Sequence, residues 1–163
     1  MTPAQLATLK TAIIADPTAG PMRAAGDAYS LLAWCNGPSA TLAWRTSVSG
    51  TEVYDAHKPT EYIARSAAER SAFDLMCDGI RAHDFTIAAK RNGVADIFSG
   101  PTNSSSRTAI FTVAQEYATN AQLALGGSTV SVGGTGNMSE TVSAYKRNFS
   151  GQVTTAEASL LVN

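Results

Sequence analysis

Charge is what this sequence most lacks. Only 15% of its 163 residues are Asp, Glu, Lys or Arg, against roughly 25% in an ordinary soluble domain. Cations and anions nearly cancel, 12 against 13, for a formal charge of -1. A strongly basic nucleic-acid binder is excluded, because affinity for phosphates scales with the cations presented. A disordered acidic tail is excluded too, since 44% of the chain is hydrophobic. Cysteine is scarce: Cys35 and Cys77 each sit in an apolar helical pattern and read as buried thiols rather than a disulfide. Aromatic residues reach 7%, few for a substrate pocket. No apolar run approaches the roughly 18 residues that span a bilayer. Residues 1–16 have the length of a signal peptide, but Lys10 stands mid-segment and no unbroken apolar stretch follows, so a reducing compartment is expected. The Asn-x-Ser triplets at Asn103, Asn137 and Asn148 then carry no glycosylation meaning.

Ala, Ser, Thr and Gly stand where charges are missing, which suits a surface covered by neighbours. The length is one ordinary domain, enough to bury a core without disulfides. The first helix is well signalled: Thr2 and Gln5 form a capping box, Pro3 fits the first turn, and Leu6, Leu9 and Ile13 share a face before Asp16-Pro17 stops it. A second helix is expected over residues 22–35, with Gly37 and Pro38 as terminators. Leu42, Trp44, Thr46 and Val48 alternate with smaller or polar residues, as in a short extended segment, and a short helix is possible over residues 51–56. Ser66 and Glu69 make the clearest capping box, ahead of Phe73, Met76, Cys77 and Ile80 at helical spacing. Asp84 caps a further helix through Val94 and Phe98, although Gly93 within it costs about 1 kcal/mol. A long helix is expected from residues 103–106 to Leu125, on the stripe Ile110, Val113, Ala114, Tyr117, Ala121 and Ala124. After Gly126 only Glu140, Lys146, Arg147 and Glu157 carry charge, and Gly, Ser, Thr and Val dominate. Two β-like runs flank Gly133-Gly-Thr-Gly136, and Thr154 or Thr155 caps a last short helix.

Chemical signatures are thin. His57 and His83 have no Cys-x-x-Cys, His-x-x-x-His or carboxylate comb beside them, so each reads as a surface or interface histidine. Gly-x-Ser-x-Gly is absent. The glycine-rich run lacks the Gly-Lys-Ser/Thr ending of a phosphate loop and reads as a turn or hinge. Asp74 and Asp78 lie one helical turn apart, between Arg70 and Arg81, as on a solvated face. Lys90-Arg91 and Lys146-Arg147 are pairs rather than a nucleic-acid stripe. Tyr145 and Phe149 flank the second pair and suit an extended arm anchored on another surface.

Four segments carry a resemblance: Met1-Thr-Pro-Ala-Gln-Leu-Ala-Thr-Leu-Lys10 with its Ala-Asp-Pro stop, Ala43-Trp-Arg-Thr-Ser-Val48, Thr60-Glu-Tyr-Ile-Ala-Arg-Ser-Ala-Ala-Glu-Arg70 and Asp96-Ile-Phe-Ser-Gly-Pro101. Together they resemble small virion proteins from the head-to-tail module of tailed bacteriophages, most closely the head-tail adaptors, or connectors, of the neck. The resemblance implies a structural protein rather than an enzyme, a homo-oligomeric ring of usually twelve copies, and partners in the portal and in a tail or tail-terminator protein. It implies no cofactor, no membrane, and DNA only in passage through the channel, in a protein made in the host cytoplasm and placed in the virion neck. A tail-terminator or capsid-decoration role in the same module is the alternative, and a small hydrolase a remote one.

The expected fold is mainly α: a bundle of about five helices over residues 1–126, followed over residues 127–163 by a β-arm or hairpin with a short terminal helix. Val130, Val132, Val142, Tyr145, Phe149, Val153, Leu160 and Leu161 are the candidate assembly interface on that arm. An arm without an intramolecular partner needs a neighbour, because a bare strand edge invites aggregation. On this expectation, removing residues 128–163 leaves a folded helical monomer.

Overall fold

The computed structural model describes residues 1–78, 82–100, 104–132 and 142–163. Among them the chain forms ten helices and four strands. The strands are β1 (Pro38–Trp44), β2 (Gln115–Thr119), β3 (Gly127–Ser131) and β4 (Ser143–Arg147), hydrogen-bonded in the order β2-β1-β4-β3. β1 runs parallel to β4, with Ala43 opposite Tyr145. β3 and β4 pair in antiparallel register: Val132 N–H donates to the Val142 carbonyl at 2.9 Å and the Ser131 and Ser143 hydroxyls meet at 2.8 Å. The fold is therefore α/β, not a mainly α five-helix bundle with an appended arm.

The chain divides into two compact units, and the division does not fall at Gly126. The first comprises Met1–Leu42, Tyr117–Ser128 and Arg147–Asn163; the second comprises Ala43–Glu116 and Thr129–Lys146. What was expected as an arm over residues 127–163 is thus shared between the two. The Gly133-Gly-Thr-Gly136 run lies outside the described residues.

The first unit holds α1 (Pro3–Ala15), α2 (Ala19–Ala24), α3 (Ala28–Asn36), α9 (Asn120–Ala124) and α10 (Thr155–Leu161). Thr2 and Gln5 cap α1 reciprocally. The helix expected over residues 22–35 is broken, because Gly26 takes a φ of 71° and Asp27 then caps α3 by accepting from Ser30 N–H. Leu9, Ile13, Leu31, Cys35, Val153 and Leu161 form the core of this unit. Asn36 fastens the last segment: its amide donates to the Val153 carbonyl at 2.9 Å and its side-chain oxygen accepts from Val153 N–H at 2.8 Å.

The second unit holds α4 (Gly50–Ala56), α5 (Pro59–Ile63), α6 (Ala67–Cys77), α7 (Ala88–Ile97) and α8 (Ser104–Val113). Its core gathers Trp44, Val48, Val53, Phe73, Phe85, Val94, Phe98, Ile110, Phe111 and, from the expected arm, Val132 and Ala144. The long helix expected to reach Leu125 ends at Val113, where Arg45 binds the carbonyls at its end. Arg45 N–H donates to Ala114 at 2.9 Å, and its guanidinium to Val113 at 2.7 Å. The same guanidinium reaches Glu52 at 2.7 Å.

Glu52 also closes the capping box of α4, accepting from Ser49 N–H at 2.8 Å. The Ser49 backbone, and after it Arg45, hold the Glu52 carboxyl down at about 2. A depressed folded-state value adds stability above the ordinary carboxylate range, and that stability is lost as pH falls toward the folded-state value. Allowing for its exposure, the contribution is about 1 kcal/mol. The melting temperature should therefore fall between about pH 4.5 and about pH 2, and less so in Glu52→Gln. An identical acid profile for the variant, by circular dichroism, counts against this assignment.

Close approach fixes α4 against the end of α6. A Cβ added at Gly50 would lie 2.2 Å from the Cys77 carbonyl oxygen, a backbone atom with little freedom to yield. Gly50→Ala should cost about 2 kcal/mol by overpacking, measurable as a lower urea midpoint. An unchanged midpoint would show that the two helix ends separate freely.

Candidate functional site

The sequence-predicted interface residues do not converge. Val132 is buried in the core of the second unit, with Val130 and Val142 packed against it. Val153 and Leu161 are buried in the core of the first. Tyr145 and Phe149 are half-buried, and the Phe149 ring lies against Gly151. Leu160 alone among these residues stands in solvent, 55% exposed. The apolar character of Val132, Val153 and Leu161 serves the chain's own cores, and these three present no surface to a neighbour.

The other candidates from the sequence are scattered as well. Lys90 is exposed, but Arg91 is buried, donates to the Phe85 carbonyl at 2.6 Å and lies 5.3 Å from the centroid of the Trp44 ring. Burial lowers the Arg91 pKa, and the pair presents no basic patch. Asp74 accepts from the Tyr62 hydroxyl at 2.8 Å, a bond that raises the Tyr62 pKa. His57 sits among Tyr54, Tyr62 and Phe73, with ring centroids 4.7 to 5.4 Å away. Beside this cluster, Thr51, Tyr54, Asp74, Cys77 and Asp78 line a cavity of about 280 Å³. Burial, reinforced by Asp74, pushes the Cys77 thiol up to about 12, so it is protonated and a poor nucleophile there. Burial likewise pushes Cys35 up to about 11. Among the described residues no three His, Cys, Asp or Glu side chains form a metal-binding group.

A larger concavity than the one beside Cys77 lies between α6 and α7, within the second unit. A groove of about 890 Å³ is bounded by Ala72, Leu75 and Met76 of α6 and by Ala89, Gly93 and Ile97 of α7. Ser66 and Glu69 fix the start of α6: Ser66 accepts from Glu69 N–H at 3.3 Å and Glu69 from Ser66 N–H at 2.8 Å. Leu75 faces outward from this helix, 78% exposed. Helix α7 starts at Ala88 without a side-chain cap, since Asp84 instead accepts from Thr86 N–H in a local turn at 2.8 Å. Gly93 is free of steric demand: a Cβ there would meet nothing within 4 Å. A mid-helix glycine costs about 1 kcal/mol against alanine, so packing within the chain does not account for it.

His83 forms one wall of the groove. Its backbone makes an antiparallel bridge with Val48, donating at 2.7 Å and accepting at 3.0 Å. The residue is only 8% exposed, and no hydrogen bond to its ring is present among the described residues. Lys90 and Asp78 add one charge of each sign to the lining. The sequence pattern locates α6 and α7; His83, which reads from the sequence as a surface or interface histidine, is largely buried at the wall of the groove. The juxtaposition of Ala72, Ala89 and Gly93, all small, was the available signal.

Such a surface offers apolar contact area beside the His83 ring, the means to recognise a side chain or helix. No helix among the described residues is long and apolar enough to cross a membrane. No protein-family model, curated protein or solved structure matches the chain.

Proposed function

We propose that the chain is a structural virion protein of a tailed bacteriophage, a non-enzymatic head-tail adaptor that works as an oligomeric ring between portal and tail. The observation that carries an assembly role is the open apolar groove between α6 and α7, with Leu75 standing in solvent at its edge. Apolar surface of this kind marks a place where a protein partner binds. The low overall charge supports the same reading, since a neutral surface suits burial against neighbours. The four resembling segments supply the neighbourhood: the head-to-tail module, a ring of twelve, the portal above, and a tail or tail-terminator protein below.

The four-stranded sheet favours a second reading, a tail-terminator or capsid-decoration protein of the same module, because those are rich in β-structure. Helices nevertheless outweigh strands, which keeps the adaptor reading first. Co-sedimentation with the portal ring encoded alongside the protein separates the two. An adaptor saturates the portal at a fixed ratio. A protein that leaves portal rings bare and instead caps tail tubes or coats capsids is a terminator or a decoration protein.

A further inference from the structure

We propose that Asn36-Gly37 is a spontaneous modification site, at which loss of ammonia from Asn36 turns the clasp on the C-terminal segment into a permanent release. All of its parts lie in the first unit, and the inference is independent of the ring reading. Asparagine followed by glycine is the pair most prone to cyclise, because glycine has no Cβ to obstruct the ring that forms. The chain has two such pairs, Asn36-Gly37 and Asn92-Gly93. At the first, the structure holds both residues to their identity. Asn36 presents a donor and an acceptor at once, as its two bonds to Val153 require. A Cβ at Gly37 would lie 3.0 Å from the Ala33 carbonyl oxygen and 3.4 Å from that of Trp34. The reactive pair is therefore built into the joint between α3 and the segment that ends in α10.

The reaction begins when the Gly37 backbone nitrogen attacks the side-chain carbonyl carbon of Asn36. That nitrogen gives up its proton to water, the new C–N bond closes a succinimide, and the side-chain nitrogen leaves as ammonia. Water then opens the ring at either carbonyl, leaving aspartate or isoaspartate. The folded chain blocks the first step twice. Gly37 N–H is engaged by the Trp34 carbonyl at 3.1 Å. The Asn36 amide is gripped by Val153 at 2.9 and 2.8 Å, so its carbon does not turn toward Gly37. Only the second restraint depends on the C-terminal segment, and it is lost whenever Val153 departs.

The product cannot close the clasp again. An ionised carboxylate only accepts hydrogen bonds, so the Val153 carbonyl loses its donor and faces an oxygen instead. Isoaspartate also lengthens the backbone by one carbon ahead of Gly37, whose carbonyl accepts from Asn120 N–H at 3.1 Å. The segment brings Val153, Ala158 and Leu161 to the core of this unit, and their release follows from the chemistry at Asn36.

Peptide mass spectrometry of the full chain, incubated at mildly alkaline pH, measures aspartate and isoaspartate at both pairs. Asn92 lies in α7 of the second unit and serves as the internal control. Ala158→Gly weakens α10 through helix propensity and lost burial, and should speed conversion of Asn36 roughly 10-fold with Asn92 unchanged. Leu160→Gly, at an exposed position of α10, should speed it roughly 3-fold. This gentler variant decides the matter where Ala158→Gly accelerates both sites, the mark of global unfolding. Asn36→Asp, the product itself, should raise hydrogen exchange over residues 153–161 roughly 10-fold or more, with α6 of the second unit unaffected. An Asn36 rate that ignores Leu160→Gly, or that rises in it only in step with Asn92, overturns the gating by α10. Unchanged protection of residues 153–161 in Asn36→Asp overturns the release.

Discussion

Removing residues 128–163 is expected to unfold the protein rather than release a helical monomer. The first unit would lose α10 and with it Val153, Ala158 and Leu161, all buried. It would also lose the paired hydrogen bonds that hold Asn36 to Val153. The second would lose β4, Val132 and Ala144, and the carbonyl of Val130 that accepts from the Trp44 indole at 3.2 Å. Burying each large apolar side chain is worth about 1.5–3 kcal/mol, and a whole domain has only about 5–15 kcal/mol of net stability. These losses in both units, together with strand β4, helix α10 and the hydrogen bonds that go with them, consume a large part of that margin. Far-ultraviolet circular dichroism of the truncated chain should show weak helicity and no cooperative melt. A truncated chain that melts sharply with native helical signal would restore the detachable arm.

A second large effect is expected at Trp44. Its side chain is fully buried in the second unit, meets Phe111 edge to face at 5.7 Å, and lies under the Arg91 guanidinium. Trp44→Ala should cost about 3–5 kcal/mol, from lost transfer energy and the cavity left behind. Beyond that, the Val130 carbonyl loses its indole donor, and buried Arg91 loses the ring that faces it. Trp44→Phe keeps much of the volume but not the indole N–H, so its cost should be smaller, about 1–2 kcal/mol. Urea unfolding followed by circular dichroism gives both values. Equal costs for the two variants would mean that the hydrogen bond to Val130 dominates. A cost below about 1 kcal/mol for Trp44→Ala would contradict the placement of this residue at the centre of the core.

Local chemistry made the helix starts readable. Thr2 with Gln5, Ser66 with Glu69 and Thr154 with Glu157 all cap helices. The expected extended character around Trp44 corresponds to β1. The unread starts were legible too: Ser49 with Glu52, and Thr119 with Gln122, form the same reciprocal box. The second of these could have broken the long helix before Leu125.

What stayed hidden is non-local. Val113, Ala114 and Tyr117 keep helical spacing, yet Arg45 binds the Val113 and Ala114 carbonyls where the helix ends, and strand β2 follows. The pairing of Ala43 with Tyr145 links opposite ends of the chain, and no local pattern encodes it. The candidate interface residues are apolar side chains in a neutral segment. That same property is what buries Val132, Val153 and Leu161 in the chain's own cores. The groove was half legible: the α6 pattern was clear, whereas His83 reaches it through a bridge to Val48 that depends on the tertiary fold.

The shortage of charge takes a different meaning in this light. A neutral C-terminal segment suits strands and a helix that complete two cores. Assembly into a ring is the claim on which the functional account turns. Native mass spectrometry of the full-length protein, alone and with portal rings, tests it most directly. The account predicts one discrete multimer, twelve copies on the portal if the resemblance holds. A monomer under both conditions would contradict it.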